Sequence, residues 1–117
     1  MRTLTDHKVN DTNKELTINV LDEPGQGGAC HEYEILCEKV GCRIAFQNGP
    51  IKEFGVNGVT QEALLAIVCD RLRSFQAGQY SCRENAVALT HLETAQLWLH
   101  KRTLDRLARG VEGTNIK

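Results

Sequence analysis

The sequence predicts an α+β fold in which a small N-terminal antiparallel β-sheet is followed by a long antiparallel two-helix hairpin. The first half of the chain contains short runs of alternating apolar and polar residues, separated by turns that contain Gly and Pro. The second half contains two long segments with apolar residues at helical spacing. We assign all 117 residues to one domain, with the sheet in residues 15–56, the hairpin in 60–108 and a tail in 109–117.

Composition and charge exclude several classes of protein. Apolar residues make up 41% of the chain and charged residues 25%, as in an ordinary folded domain. The net charge of -1 argues against a DNA or RNA polymer as the partner, so an anion-binding site must be local. No apolar run approaches the roughly 20 residues needed to span a bilayer, and we therefore expect a soluble protein without a membrane partner.

The five cysteines indicate a reduced, cytosolic protein. Their number is odd, and the chain does not begin with a charged segment followed by an apolar leader. Cys30, Cys37 and Cys42 lack the short paired spacing of structural zinc sites, and the neighbouring His31 adds only one further ligand. We therefore expect small buried or half-buried thiols, with no metal and no cofactor.

Three strand-like runs make up the predicted sheet. Residues 1–14 show no apolar period and are expected to be held loosely. The runs occupy residues 15–21, 30–37 and 42–47, and residues 22–28 form a glycine-rich loop. This loop does not fit a dinucleotide-binding fingerprint, because strand-like residues rather than a helix follow it.

Two amphipathic helices make up the predicted hairpin. The first spans residues 61–76 and is preceded by Thr60, a favourable N-cap residue. The second begins at a capping box formed by Ser81 and Glu84 and runs to about Ala108. Because only a short connection joins them, the two helices must pack antiparallel.

The apolar residues of the second helix are spread around its circumference. Leu89, Leu92 and Leu99 form one stripe, Leu97 lies on a neighbouring face and Trp98 lies on the far side. One partner helix cannot cover all of these side chains. We therefore expect the hairpin to assemble as a symmetric oligomer, in which other subunits cover the remaining apolar surface.

Three arginines near the end of the second helix are candidates for anion binding. Arg102, Arg106 and Arg109 recur at i, i+4 and i+7 and share one helix face. Asp105 can pair with Arg109, while Lys101 competes for it, and we expect no acidic side chain beside the other two arginines. Either they form a solvated basic end that complements the helix dipole, or they converge on the phosphates of a ligand. In the second case, alanine at either position should not destabilise the unliganded protein.

An aromatic ring and an amide are expected at the turn end of the hairpin. Phe75 ends the first helix, and Asn85 lies in the first turn of the second. A nucleobase can stack on the ring, and a carboxamide can pair with a base edge as both donor and acceptor. The alternative is that Phe75 is simply the last core residue of its helix.

No arrangement of residues in the sequence indicates catalysis. A His-x-Thr pair, a His-Asp metal doublet and a Gly-x-Ser-x-Gly elbow are all missing. His91 and His100 are nine residues apart on the second helix, which places them on opposite faces. We therefore expect no catalytic residues, and a binding protein rather than an enzyme.

Several separated sequence blocks follow one another along the chain, and together they are a more specific signal of family resemblance than one short motif. They are residues 45–53 (AFQNGPIKE), 55–60 (GVNGVT), 62–65, 70–72, 75–76, 84–86, 102–103 with Arg106, and 109–114. These blocks resemble the first-described Thoeris anti-defence family of phages, and the resemblance covers about residues 42–114. The helical hairpin is also similar to that of the anti-CBASS cyclic-nucleotide sponges.

The resemblance implies a phage sponge that binds its signal in the host bacterial cytoplasm without degrading it. It implies a hexamer, built as a trimer of dimers, that holds glycocyclic ADP-ribose isomers made by bacterial TIR proteins. Matched residue by residue, Phe75 corresponds to the family's base-stacking aromatic, Asn85 to its polar pocket residue, and Arg102 and Arg106 to its phosphate-facing arginines. The alternatives are an enzyme that cleaves the signal and an oligomeric hairpin that binds an acidic protein.

A second site departs from the family pattern. Some members hold cyclic di- or trinucleotides at a separate site and carry an arginine directly after the Gly-Pro pair. This chain has Ile51 at that position, followed by Lys52. Lysine supplies a charge but lacks the planar fork of donors. Lys52 and Arg109 are the residues assigned to this second site.

Overall fold

The structure, a computed structural model, describes residues 1–9 and 13–117. The chain divides into two compact units, Met1–Val59 and Thr60–Lys117. The first unit contains the strands and one short helix, and the second contains the two long helices. The elements are β1 (Arg2–Leu4), β2 (Thr17–Val20), β3 (Glu32–Leu36), β4 (Gly41–Ala45), α1 (Ile51–Phe54), α2 (Gln61–Gln76) and α3 (Arg83–Ala108).

An antiparallel sheet with the strand order β1-β2-β3-β4 forms the first unit, so each strand pairs with the next along the chain. Ile18 of β2 faces Ile35 of β3, which places apolar side chains of neighbouring strands in one row. Val20 is fully buried. The ring of Tyr33 meets that of Phe46 edge to face, with the centroids 5.6 Å apart. The predicted α+β class and antiparallel sheet are confirmed.

Residues 2–4 form a strand, which corrects the expectation that the N-terminal segment is held loosely. β1 pairs with β2, and Thr3 Oγ1 donates to Asn19 Oδ1 at 3.1 Å. Asn19 Nδ2 in turn donates to Glu34 Oε1 of β3 at 2.9 Å. A strand of three residues is too short to show a period, and its pairing depends on residues distant in sequence. Residues 10–12 of that segment lie outside the described residues.

Asp22 fixes the loop between β2 and β3. Its Oδ2 accepts a hydrogen bond from the backbone N–H of His31 at 2.9 Å, and its Oδ1 accepts one from Glu32 at 3.1 Å. These bonds, above all the one from His31, hold the pKa of Asp22 below its ordinary value of 3.8. Residues 22–28 form a loop, as predicted, and include a 3-10 turn at Gln26–Gly28.

A hydrogen-bonded loop follows β4. Asn57 Nδ2 donates to Asn48 O at 2.7 Å, and Asn48 N donates to Asn57 Oδ1 at 2.8 Å. Phe46 forms a parallel bridge with Val59. A Cβ at Gly58 would lie 2.4 Å from the carbonyl carbon of Phe46, so only glycine fits this crossing. The loop includes α1, which the sequence did not predict because four residues are too few to show a helical period.

The second unit is the predicted antiparallel hairpin. α2 spans the predicted residues, and Thr60 Oγ1 accepts a backbone hydrogen bond in its first turn at 3.2 Å. Cys69 Sγ contacts Gln96 Oε1 at 3.5 Å. One turn later in α2, Arg73 pairs with Glu93 at 3.0 Å, one turn earlier in α3, so the helices run in opposite directions. In the described part of the chain, no helix has the length and apolar character to cross a membrane.

The N-cap of α3 is Cys82 rather than Ser81, which corrects the predicted capping box. The Sγ of Cys82 accepts a hydrogen bond at 3.5 Å from the backbone N–H three residues later. The side chain of Gln76 binds both backbone polar groups of Cys82, and these bonds make Cys82 the point where the helix begins. α3 ends at Ala108, as predicted, before Gly110 takes a positive φ of 72°.

Apolar side chains of the hairpin are divided between its interior and its surface. Cys69 is fully buried, and Leu89 and Leu99 are half-buried. Leu97 is 69% exposed and Trp98 is 67% exposed in the single chain. A single chain therefore leaves large apolar side chains of α3 in water, as their dispersion around the helix predicted.

Replacing Asp22 with Asn should lower the melting temperature at neutral pH, because the amide lacks the charge that strengthens the bonds from two backbone N–H groups. The folded-state pKa lies below 3.8, so the carboxylate stabilises the fold above that pH. This stabilisation is lost as the pH falls through the folded pKa. The Tm difference between wild type and D22N should therefore be largest at neutral pH and shrink below 3.8.

Circular dichroism melts at several pH values measure this difference. Glu23→Gln is the matched control, because it removes the adjacent exposed carboxylate. An equal loss of Tm in both variants would contradict the role given to Asp22.

Candidate functional site

Phe75 and Asn85 lie at the turn end of the hairpin. Phe75 is half-buried near the end of α2, and Asn85 is half-buried in the first turn of α3. The guanidinium carbon of Arg71 lies 4.8 Å from the centre of the Phe75 ring, which is a cation–π distance. The structure therefore brings the aromatic ring and the amide to one end of the hairpin, with a cation over the ring.

Gln76 bridges the turn between the two helices. Its Nε2 donates to Cys82 O at 3.1 Å, and its Oε1 accepts from Cys82 N at 3.0 Å. Gln76 follows Phe75 directly, and Cys82 precedes the helical turn that contains Asn85. These two bonds therefore join the residue next to the ring to the residue that caps the helix of the amide. Sequence reasoning missed Gln76, because a glutamine at a helix end carries no signal of its own.

Arg102 is exposed on α3 and, among the described residues, makes no hydrogen bond or ion pair. Its neighbour Lys101 pairs with Asp105, with Nζ 2.7 Å from Oδ2. Of the two pairings that the sequence offered for Asp105, the structure therefore forms the one with Lys101 and not the one with Arg109. Arg109 is the C-cap residue of α3, where tail carbonyls come within reach, and its Nη2 donates to Lys117 O at 2.5 Å. The guanidinium of Arg102 is left available to a ligand.

Arg106 has a different environment although it lies one turn from Arg102. It is only 8% exposed, and its Nε lies 3.6 Å from Glu112 Oε2. Its guanidinium donates at 2.6–3.0 Å to three tail carbonyls, those of Val111, Thr114 and Ile116. The expectation of no acidic neighbour is wrong for Arg106, because the chain reverses after the helix and brings Glu112 back. The sequence offered only the two glycines of the tail as a signal for this reversal.

The aromatic ring and the amide lie far from the arginines. Asn85 and Arg102 are seventeen residues apart on one uninterrupted helix. At 1.5 Å per residue, this separation is about 25 Å along the helix axis. A nucleotide-sized ligand stacked on Phe75 cannot reach Arg102 of the same chain. One chain therefore does not bring all the predicted residues together.

The residues assigned to a second site lie in different compact units. Lys52 is exposed on α1 in the first unit, and Arg109 follows α3 in the second. Within the described part of the second unit, Arg109 makes no hydrogen bond or ion pair with Phe75, Asn85, Arg102 or Arg106. Their assignment to one cyclic-oligonucleotide site stays a prediction.

A groove of about 760 Å³ runs along α2 and α3. It contains the Arg73–Glu93 ion pair, but none of the candidate ligand-binding residues lines it. The lining residues are Glu62, Arg73, Glu93, Gln96, Leu97, His100 and Thr103. Among residues 1–9 and 13–117, no cluster of His, Cys, Asp and Glu side chains could hold a metal ion.

Residues 38–104 match the sequence profile of a family described as "Acb2/Tad1, hairpin domain". The match covers more than half of the chain, including α2 and most of α3. The chain belongs to the Acb2/Tad1 hairpin family. The family resemblance found in the sequence blocks is thereby confirmed. The matched residues include Phe75, Asn85 and Arg102, whereas Arg106 and the tail lie beyond the end of the match.

A curated relative also resembles this Acb2/Tad1 hairpin chain. Over 74 residues the chain is 54% identical to "Thoeris anti-defense 1" of Bacillus phage SBSphiJ7. The aligned stretch covers 63% of this chain and 52% of the relative. The chain therefore spans about half the length of the curated relative that it matches.

Gln76→Ala should destabilise the hairpin by about 1–2 kcal/mol, because it removes two hydrogen bonds across the turn. Urea unfolding followed by circular dichroism measures the change. Gln79→Ala is the matched control, since Gln79 is exposed in the same turn and makes no side-chain hydrogen bond within the described chain. Equal stability of the two variants would exclude a bridging role for Gln76.

Arg106→Ala should destabilise the unliganded protein by about 1–3 kcal/mol, because three tail carbonyls and Glu112 lose their partner. From the sequence alone, this substitution was expected not to destabilise the unliganded protein. Arg102→Ala should leave stability unchanged, because its side chain is exposed and unpaired within the described residues. Urea unfolding compares the two, and a wild-type stability for Arg106→Ala would contradict the structural role of its guanidinium.

Proposed function

We propose that this chain is a phage anti-defence sponge that captures cyclic ADP-ribose-type signals, the glycocyclic ADP-ribose isomers made by bacterial TIR proteins. Membership of the hairpin family and similarity to a phage protein named Thoeris anti-defense 1 support this proposal. The chain acts in the host bacterial cytoplasm, where it lowers the free signal by binding it. Its potency then depends on copy number and dissociation constant rather than on turnover.

The side chains at the two ends of the hairpin suit the two parts of such a ligand. The Phe75 ring offers a stacking surface for the adenine base, and the Asn85 amide can pair with the base edge. The exposed guanidinium of Arg102 offers two parallel donors to a phosphate. Arg106 is a second phosphate ligand in this proposal, once its donors are released from the tail.

The separation of these groups along α3 is the observation that carries the mechanism. Because about 25 Å lie between the amide and Arg102 in one chain, the base and the phosphates of one ligand must meet different chains. Two chains related by a twofold axis, with their α3 helices antiparallel, place the amide end of one beside the arginine end of the other. Each such dimer has two equivalent sites.

The exposed apolar surface of the hairpin supports assembly. Leu97, Trp98 and Leu104 are each more than half exposed in a single chain, and contact between hairpins would cover them. We propose a hexamer built as a trimer of dimers, in which each dimer carries the shared sites. Contacts between neighbouring dimers bury the apolar side chains that stay exposed in each antiparallel pair.

Two other functions are distinguished by the chemistry of the same residues. An exposed arginine would also suit an acidic protein partner, but such a partner gives no role to an aromatic ring and an amide at the far end. An enzyme that cleaves the signal would release altered products. Binding without cleavage predicts that the ligand is recovered intact from the complex.

Phe75→Ala and Arg102→Ala should each weaken binding of glycocyclic ADP-ribose about ten- to hundredfold, by loss of stacking or of a charge-assisted hydrogen bond. Isothermal titration calorimetry measures the change. Arg2→Ala removes the same charge from an exposed arginine of the first compact unit, which contributes no residue to the proposed site, and should bind like wild type. Wild-type affinity in both single variants would contradict the proposed site.

Mixing the two variants tests whether the site is shared between chains. If chains exchange at random, half of the dimers contain one chain of each variant, and each mixed dimer has one site with both wild-type groups. About a quarter of all sites should therefore regain wild-type affinity. A site within one chain predicts no recovery.

An equal mixture of wild type and the Phe75→Ala/Arg102→Ala double variant is the matched control. A shared site predicts about a quarter of sites at wild-type affinity, whereas a site within one chain predicts about half.

A further inference from the structure

The tail after α3 is wound around the Arg106 side chain. The chain reverses at Gly110 and Gly113, which have φ values of 72° and 81°. Val111 N donates to Arg106 O at 3.0 Å and holds the returning segment against the helix end. We name residues 110–117, the part of the tail that follows the Arg109 cap, the strap.

The strap occupies most of the donors of Arg106. A guanidinium has five N–H groups, and three of them point to strap carbonyls at 2.6–3.0 Å. The residue is 8% exposed, and its Nε faces the Glu112 carboxylate at 3.6 Å. A phosphate therefore cannot reach Arg106 while the strap is docked, and the negative charge of Glu112 would repel it.

We propose that the strap competes with the bound signal for Arg106, so that phosphate oxygens replace the strap carbonyls when the ligand binds. This inference rests on the proposed function and concerns regulation of the same site. Phosphate oxygens make stronger, charge-assisted hydrogen bonds to a guanidinium than neutral carbonyls do, so the exchange favours the ligand. Release of the strap also removes Glu112 and leaves Arg106 one turn from Arg102 on the same face.

The docked strap is not fully satisfied in its hydrogen bonds. Arg106 Nε and Glu112 Oε2 are buried and lie 3.6 Å apart, which is too far for a hydrogen bond, and neither has a hydrogen-bond partner among the described residues. Buried polar atoms without a partner weaken the state that contains them. This property is expected of a contact that covers the arginine in the empty protein and opens when an anion arrives.

Hydrogen exchange of the strap amides tests the proposal on the whole chain. The protein is measured alone, with glycocyclic ADP-ribose, with inorganic pyrophosphate, and with sodium chloride at matched ionic strength. The signal and pyrophosphate should each accelerate exchange of residues 111–116 by about threefold or more, and sodium chloride should not. Arg102→Ala should reduce the acceleration because the phosphate loses its neighbouring anchor, and the matched variant Arg2→Ala, in the first compact unit, should retain it.

A variant of the strap itself tests the competition. Gly113 has a φ of 81°, which an L side chain adopts only with strain, so Gly113→Ala should loosen the strap while Arg106 stays intact. Its affinity for glycocyclic ADP-ribose should rise about three- to tenfold by calorimetry, because the competing state is less populated. Circular dichroism checks that the hairpin keeps its helical content. A loss of affinity would overturn the proposal, since it would make the docked strap part of the binding surface.

The outcomes distinguish failure of the strap proposal from failure of the proposed function. If neither anion changes strap exchange, the competition does not exist. If pyrophosphate releases the strap but glycocyclic ADP-ribose does not bind, competition between the strap and phosphate for Arg106 is supported and the proposed function is wrong. If the signal binds tightly while strap exchange is unchanged, the proposed function stands and the strap proposal fails.

Discussion

A single 26-residue helix, α3, sets the distance between the candidate amide and the candidate arginines of the hairpin. Its first turn carries Asn85, its last third carries Arg102, and no break in the helix brings them closer. Antiparallel packing against α2 adds Phe75 to the amide end only. In the proposed function, a rigid helix of this length therefore divides the residues suited to one nucleotide into two half-sites, and we propose that a second copy of the chain completes each of them.

Neighbouring arginines have different environments because the chain reverses after α3. Arg102 is exposed, whereas Arg106 is enclosed by its own tail and faces Glu112. The net charge of the whole chain is -1, so attraction of an anion depends on a local cluster rather than on the field of the whole protein. The Glu112 carboxylate beside Arg106 also limits repulsion between the two guanidinium groups, which lie one turn apart.

The sequence predicted the elements that have a strong period and missed those that depend on distant contacts. The bounds of α2 and the end of α3 were predicted because apolar spacing, an N-cap threonine and a terminal glycine act locally. β1 was missed because its pairing with β2 is set by the sheet. Cys82 replaces Ser81 as the cap because Gln76 binds it across the turn. The environment of Arg106 could not be predicted, because helical spacing says nothing about where a tail folds.

Native mass spectrometry of the protein saturated with glycocyclic ADP-ribose, followed by release of the ligand, tests most directly whether paired chains capture the signal intact. The shared site predicts that the ligand stays on species of two or more 13.1 kDa chains and that its mass after release is unchanged. Ligand retained on a single chain would contradict the shared site, and a cleaved ligand would contradict capture without turnover.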